Sequence, residues 1–430
     1  MPKGLLPAPL YFLDARDGQI WLLAADGDSK RQITFERLPI RDFAAAGTTL
    51  VYVLEDTATK IVVLLGPGGR RELFSGPAAA PRIAPDASEV FYRVDEAVDG
   101  LIVGQDSAPT GIYRQGSNGG RPGLLHADEG DRHFSPLVLA PDGTRLLALA
   151  IDNNVQIRQL AVIGLGNPTQ STLLDQLLCC DASWSSDSAQ IVIGSSAVST
   201  AAGEIIYGGL WVIDAVNGVA TTVIEPFVGS EAAPADAYLQ FSAPYLFEDG
   251  SIAVFSAPGD YPLGSDLLQT LDRFTAGGER IVAGAEVFPL LSALWAPDGR
   301  GGVIVRYVPA GAAAPLEFQP LLWLSDDGAR QVELDGSGSA LAWRFASPDD
   351  NPDDCAAFAP LSFQPEAERR FDSNVADLQA RLIARGYTQV GSIDGFFGEQ
   401  TRAALQAFQN DHNLATSGSL DCASWQKLFL

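Results

Sequence analysis

The sequence predicts a mainly-β chain: a seven-bladed β-propeller closed by its two ends, then a small all-α domain of three helices. Three observations predict it. A phrase of four short apolar strands recurs at roughly 40–55 residues over the first 345 positions, the period of a propeller blade. The turn inside the phrase also recurs, as Ala140-Pro141-Asp142-Gly143 and again as Ala296-Pro297-Asp298-Gly299. From Asp372 onward the apolar spacing changes to the period of a helix.

The blades follow in order. Leu10 to Thr34 holds three strands, and further blades begin near Pro39, Ala79, His133, Cys179, Ala237 and Leu290. The strand missing from the first blade is Ala340-Leu341-Ala342-Trp343-Arg344-Phe345, so pairing the two ends closes the ring and removes an open edge. In the repeated turn, proline presets φ and glycine accepts the left-handed position. Weaker copies are Ala84-Pro85-Asp86-Ala87, Ser185-Ser186-Asp187-Ser188 and Glu248-Asp249-Gly250. Hairpins with glycine turns supply the later half, as in Ile20-Trp21-Leu22 through Asp26-Gly27 and Leu322-Trp323-Leu324 through Asp327-Gly328.

Blades three, five, six and seven carry insertions between their second and third strands, near residues 95–110, 195–208, 256–266 and 308–319. Equivalent loops emerge on one face, and grouped long loops read as a binding surface. Glu204, Tyr207, Asp260, Tyr261, Asp266 and Phe318 are its candidate contacts. Drift at tolerant loop tips is the plainer alternative.

Charge narrows the function. Lys+Arg 28 against Asp+Glu 53 gives −25, which repels phosphate backbones and anionic lipid. Nucleic acid is therefore no partner. No apolar run is long enough for a membrane helix, and the start Met1-Pro2-Lys3-Gly4-Leu5 lacks the stretch of a signal peptide. The expectation is a cytoplasmic chain or the mature form of an exported one. Cys179, Cys180, Cys355 and Cys422 form no CxxC, and with three His they give no zinc pattern. Adjacent Cys179 and Cys180 read as small buried thiols. No nucleophile elbow, zinc-protease or phosphate-loop motif occurs, so no catalytic residue and no cofactor are assigned.

Residues 346–371 read as an acidic, Pro-broken linker between a propeller at 1–345 and a helical domain at 372–430. Asp349, Asp350, Asp353 and Asp354 admit a calcium ion, but the run lacks the EF-hand glycine and its closing Glu, and a solvated charge run suffices. Beyond it, Val375, Leu378 and Leu382 share a helix face that Gly386 ends. Thr401, Ala404, Leu405 and Phe408 share a second. Asp421 caps a third that carries Trp425 and Leu428.

Two resemblances rest on these residues. Trp184-Ser185-Ser186-Asp187, Trp295-Ala296-Pro297-Asp298-Gly299 and the Ile20-Trp21-Leu22 and Leu321-Leu322-Trp323 strands resemble TolB-like, WD-type propeller repeats. That implies a binding scaffold and no chemistry. Leu378-Gln379, Gly386-Tyr387, Asp394-Gly395 with Phe397-Gly398, Phe408-Gln409, Leu414, Gly418, Asp421 and Trp425 resemble the bacterial peptidoglycan-binding-domain family. Asn413 and Ser424 depart from its usual Gly and Thr. This resemblance implies non-catalytic attachment to the cell wall through a shallow groove; we select Arg385, Tyr387 and Phe396 as candidate wall contacts, with packing or a solvated face as the plainer alternative. It also places the protein outside the cytoplasm, secreted or wall-associated. A Cys355–Cys422 disulfide would pin the module to its linker.

The expected function is a non-catalytic extracytoplasmic binding protein, its propeller recognising a protein or glycan partner and its module holding peptidoglycan. The alternatives are a wall-acting hydrolase or lyase with its site in the propeller channel, and a structural subunit of a surface assembly.

Overall fold

A computed structural model gives the fold, and it describes residues 5–55, 60–66, 68–96, 98–99, 107–152, 157–166, 171–174, 179–199, 204–229, 237–259, 268–308, 317–345, 361–365 and 373–429. The first blade pairs Leu10–Asp14 with Ile20–Leu23 on one side and with Gly338–Trp343 on the other, and Lys30–Gln32 is its outer edge. The two ends of the propeller thus share one sheet, as the three-strand start required. Leu6, Leu10 and Phe12 are buried against Val303, Leu321, Trp323 and Trp343, so an apolar core seals the closure.

Among the described residues, five four-stranded sheets stand as separate blades, not seven. After blade one come sheets starting at Ile40, Ala78, Arg132 and Cys179. The remaining strands, from Tyr238–Leu246 to Gln331–Glu333, form one continuous sheet. The cause is the 16-residue strand Arg280–Trp295. Its first part pairs with Leu268–Phe274 and its last with Gly301–Val308, so no loop separates the units expected to be the sixth and seventh.

Packing between neighbouring sheets supplies the core. Tyr11, Leu13, Ile20 and Leu22 of blade one bury against Ile40, Phe43, Tyr52 and Leu54 of the next. The repeated tryptophan adds a directional bond. Trp184 Nε1 donates to Val138 O at 3.4 Å, Trp295 Nε1 to Ala243 O at 2.7 Å, and Trp343 Nε1 to Trp295 O at 2.8 Å. Each links the innermost strand of one unit to that of the unit before it.

The repeated aspartate also has a defined task. Asp86, Asp142, Asp187, Asp249 and Asp327 each accept the backbone N–H two residues ahead at 2.8–3.0 Å, closing the turn. Gly143 and Gly299 take φ 69, and Ala87 and Ser188 sit in the same left-handed region where the motif has lost its glycine.

The C-terminal domain has three helices, α1 (Ser373–Ala384), α2 (Glu399–Asp411) and α3 (Cys422–Phe429). Gly386 at φ 93 ends α1, with the Tyr387 N–H on Leu382 O. Asp421 Oδ1 takes the Ser424 N–H, as the cap expected there. Asn413 at φ 56 fills the left-handed place of the usual glycine. One boundary differs from the sequence reading. Leu361 bridges Leu420 and joins the helical core with Phe363, and the Gln364 N–H reaches Phe397 O. Residues 361–364 therefore belong to the module, because its core needs their apolar side chains.

Candidate functional site

Two buried glutamines organise the module. Gln379 on α1 accepts the N–H of Asp394 at 3.0 Å and of Gly395 at 2.9 Å through Oε1. Its Nε2 donates to Asp394 Oδ1 at 2.8 Å and Thr401 Oγ1 at 2.9 Å. Gln409 on α2 repeats the device, accepting the Gly418 N–H and donating to Ser419 O and Ser424 Oγ. Both are essentially unexposed, at 1% and 0%. Each glutamine ties a glycine loop to a helix, and in the first loop Phe397 adds a buried anchor in the module's core. Asp394 Oδ1 then caps the Phe396 N–H at 2.9 Å.

The three expected wall contacts surround this scaffold. Arg385 and Tyr387 flank the glycine that ends α1. Arg385 is exposed and places one N–H on Leu428 O at 3.3 Å. Tyr387 is half-buried edge-on against Phe408 and donates its hydroxyl to Asp411 Oδ2 at 3.0 Å; burial and that carboxylate raise its pKa. Phe396 lies in the loop held by Gln379 and is 37% exposed. Cys355, the side chain of Cys422 and the side chains of Cys179 and Cys180 lie outside the described residues, as does the acidic run at 349–354.

The module is seated on blade one. Arg381 of α1, 5% exposed, donates to the carbonyls of Gln32 and Ile33 at the blade's outer edge and stacks over Phe35 at 4.7 Å. Arg37 of the propeller returns a bond to Ile393 O, next to Asp394. A sheet edge that would otherwise stay open is thereby covered.

On the propeller, the described parts of all four insertions fall between second and third strands. Successive strands alternate direction, so these links emerge at the same end as the inter-blade connections. The expected contacts divide. Glu204 is exposed and Phe318 is half-buried on the strand pair Tyr307/Phe318. Tyr207 is a correction: at 5% exposure it packs on Phe227 at 5.6 Å, inside a small sheet built by the insertion and the segment at Val228–Gly229. It is a core residue of the loop, because the insertion needs an apolar centre of its own. Asp260, Tyr261 and Asp266 lie outside the described residues.

Two further groups were not singled out from the sequence. At the connection into the sheet starting at Arg132, Asp128 accepts a bidentate Arg93 at 2.8 and 2.9 Å, His133 Nδ1 at 3.0 Å and the Phe134 N–H at 2.9 Å. Burial alone would raise the Asp128 pKa, but these donors and Thr110 drive it well below the carboxylate range. Around the inner strands, Asp42 accepts Arg82 at 3.0 Å, and Asp181 accepts the Ala243 N–H at 2.7 Å. Both acids follow directly on a register shift of the inner strand, Asp42 pairing with Val53 and Asp181 with Gly194. Burial raises the Asp181 pKa. No sequence signal marks these groups, since carboxylates are numerous and the bulges leave no motif.

A cavity of about 280 Å³ lies in the continuous sheet, lined by Leu271, Phe288, Glu286, Asp327 and Gln331 and by none of the expected contacts. Among the described residues, no three His, Cys, Asp or Glu side chains group as metal ligands, and no helix is long and apolar enough to cross a membrane.

Residues 372–428 match the peptidoglycan binding domain family. No curated protein matches the sequence. Among solved structures, the chain resembles one assigned as TolB from Agrobacterium tumefaciens, at 16% identity and TM-score 0.40 over 70% of this chain and 99% of that one. It resembles an oligogalacturonate lyase from Vibrio parahaemolyticus at 11% identity and TM-score 0.49, over 77% and 85%. A prolyl endopeptidase gives 10% identity and TM-score 0.49, over 77% of this chain and 51% of that one, so the chain spans about half its length. None of these activities passes to this chain on such likeness.

Proposed function

We propose that this protein is an extracytoplasmic binding protein, held at the cell wall by its helical module and presenting a propeller face to a protein or glycan partner. The observation that carries the reading is the family match at 372–428 together with the loop scaffold of Gln379 and Gln409, which leaves Phe396 and Arg385 exposed beside it. Aromatic and guanidinium groups at the rim of a shallow surface suit a glycan with peptide branches. The propeller's contribution is its insertion-bearing end. The test is co-sedimentation of the full chain with purified sacculi. Pelleting that muramidase-released fragments compete away supports attachment, and a chain that stays in the supernatant rejects it.

A second reading has one specific observation in its favour. Asp181 has its pKa raised by burial and stands on an inner strand, as a general acid in the channel would. That reading makes the protein a wall-acting hydrolase or lyase. Release of soluble wall fragments, abolished in Asp181→Asn, distinguishes it from pure attachment.

A further inference from the structure

The module meets the propeller at the connection that leaves blade one. From Gln32 to Arg37 this connection gives Arg381 two carbonyls and the Phe35 ring, and it gives Ile393 O the Arg37 guanidinium. The connection is itself fixed. The Glu36 N–H donates to Gln19 Oε1 at 2.8 Å, and Gln19 Nε2 donates back to Glu36 O at 3.1 Å. The Glu36 carboxylate accepts both arms of Arg70, at 2.7 and 3.2 Å, and the Tyr52 hydroxyl at 2.6 Å. Gln19 is 6% exposed, so water competes little for the first pair. Arg37 therefore leaves a backbone pinned one residue before it.

On the module, the bond from Arg37 falls on a single peptide unit. The Ile393 carbonyl and the Asp394 N–H belong to the same peptide. Arg37 donates to its oxygen, and its N–H donates to Gln379 Oε1 at 3.0 Å. A peptide bonded at both poles is polarised, and each bond strengthens the other. The same unit sets the loop beyond it. The next N–H, of Gly395, also reaches Gln379, and Asp394 Oδ1 holds the Phe396 N–H.

We infer that Arg37 is a positioning residue for wall binding: from the propeller it fixes the Ile393–Asp394 peptide, and so presets the loop that carries Phe396 for a peptidoglycan fragment. Arg37 touches no ligand in this role. It lowers the cost of ordering the loop when a fragment binds. The linkage is reciprocal, so an occupied loop tightens the seat of the module on the propeller. This explains why a module with a wall-binding fold is seated on a pinned connection rather than tethered freely. The inference rests on the wall-attachment reading.

The test measures muramidase-released peptidoglycan fragments on the full chain by calorimetry. Arg37 is exposed, so its substitution leaves both cores intact. Arg37→Gln weakens binding about 3- to 10-fold, the worth of one hydrogen bond from a charged donor. Arg37→Lys keeps a cationic N–H donor and recovers most of that loss. Arg114→Gln is the control. It removes another propeller arginine bonded to a carbonyl, Leu165 O at 3.3 Å, and leaves affinity unchanged. Equal affinity in the wild type and Arg37→Gln, a lysine variant as weak as the glutamine one, or a control as weak as either overturns the positioning role and leaves wall attachment standing. A wild-type chain that binds no fragment overturns wall attachment itself, and the positioning role with it.

Discussion

Trp295 donates its indole N–H to the carbonyl of Ala243 at 2.7 Å, joining two inner strands 52 residues apart in sequence. Trp295 is 9% exposed and Ala243 is 7%, so the bond is dry. Trp295→Phe keeps most of the apolar area and leaves a buried carbonyl without its donor. The expected loss is about 1–3 kcal/mol, read as a lower urea midpoint. Trp21→Phe is the control, because its indole bonds Asp17 at the surface and its loss costs less than about 1 kcal/mol. Equal effects in the two variants would remove the inter-blade bond from the account.

Gln379→Leu conserves volume and deletes the hub that holds Asp394, Gly395 and Thr401. At least about 2 kcal/mol is lost from the module, because several buried groups lose partners together. Trp425 fluorescence reports the module's transition, and the propeller's own transition stays where it was. A module that melts unchanged contradicts the hub.

Arg381→Gln tests the seating of the module. The variant loses the bonds to Gln32 and Ile33 and the stacking on Phe35. Both units stay folded, while amide exchange quickens along the edge strand Lys30–Gln32 and at Ile393. Unchanged exchange at both places means that Arg381 does not hold the seam.

Acid destabilises the propeller through its turns. Asp86, Asp187 and Asp327 are held below the ordinary carboxylate range mainly by hydroxyls and N–H groups within the same turn. A lowered folded pKa gives stability that is complete above the unfolded value near 4 and is lost as pH falls through the folded one. The net charge of −25 acts the opposite way, since protonation eases repulsion. At about 0.15 M salt the local bonds win, because charges beyond about 8 Å are screened. Tm therefore falls between pH 5 and pH 3 on the order of the carboxylate range. Asp187→Asn, whose amide oxygen still accepts the Ala189 N–H, shows a smaller fall. A Tm that rises into acid contradicts this balance.

How far the sequence led depends on the interaction that decided each element. Asp142-Gly143 and Trp295-Ala296-Pro297-Asp298 marked turns and strand ends because their chemistry is local, and the closing strand at Ala340 followed from counting three strands at the start. The fused sheet was not legible, since Gly284 and Pro289 inside Arg280–Trp295 read as breaks, while the strand runs through both. Leu361 and Phe363 looked like linker because the core they complete is formed by residues from Val375 onward. Tyr207 illustrates the same limit: an aromatic in an insertion reads as exposed until Phe227 is placed against it. Arg381 and the Gln32 carbonyl it bonds lie 349 positions apart, and only the fold joins them.

The central claim is that the wall is held by the module and not by the propeller channel. Hydrogen–deuterium exchange of the full chain with and without soluble peptidoglycan fragments tests it most directly. The account predicts protection concentrated at residues 385–398, with the inner strand Cys179–Trp184 unchanged. Protection confined to that strand and its neighbours, or none at residues 385–398, contradicts it.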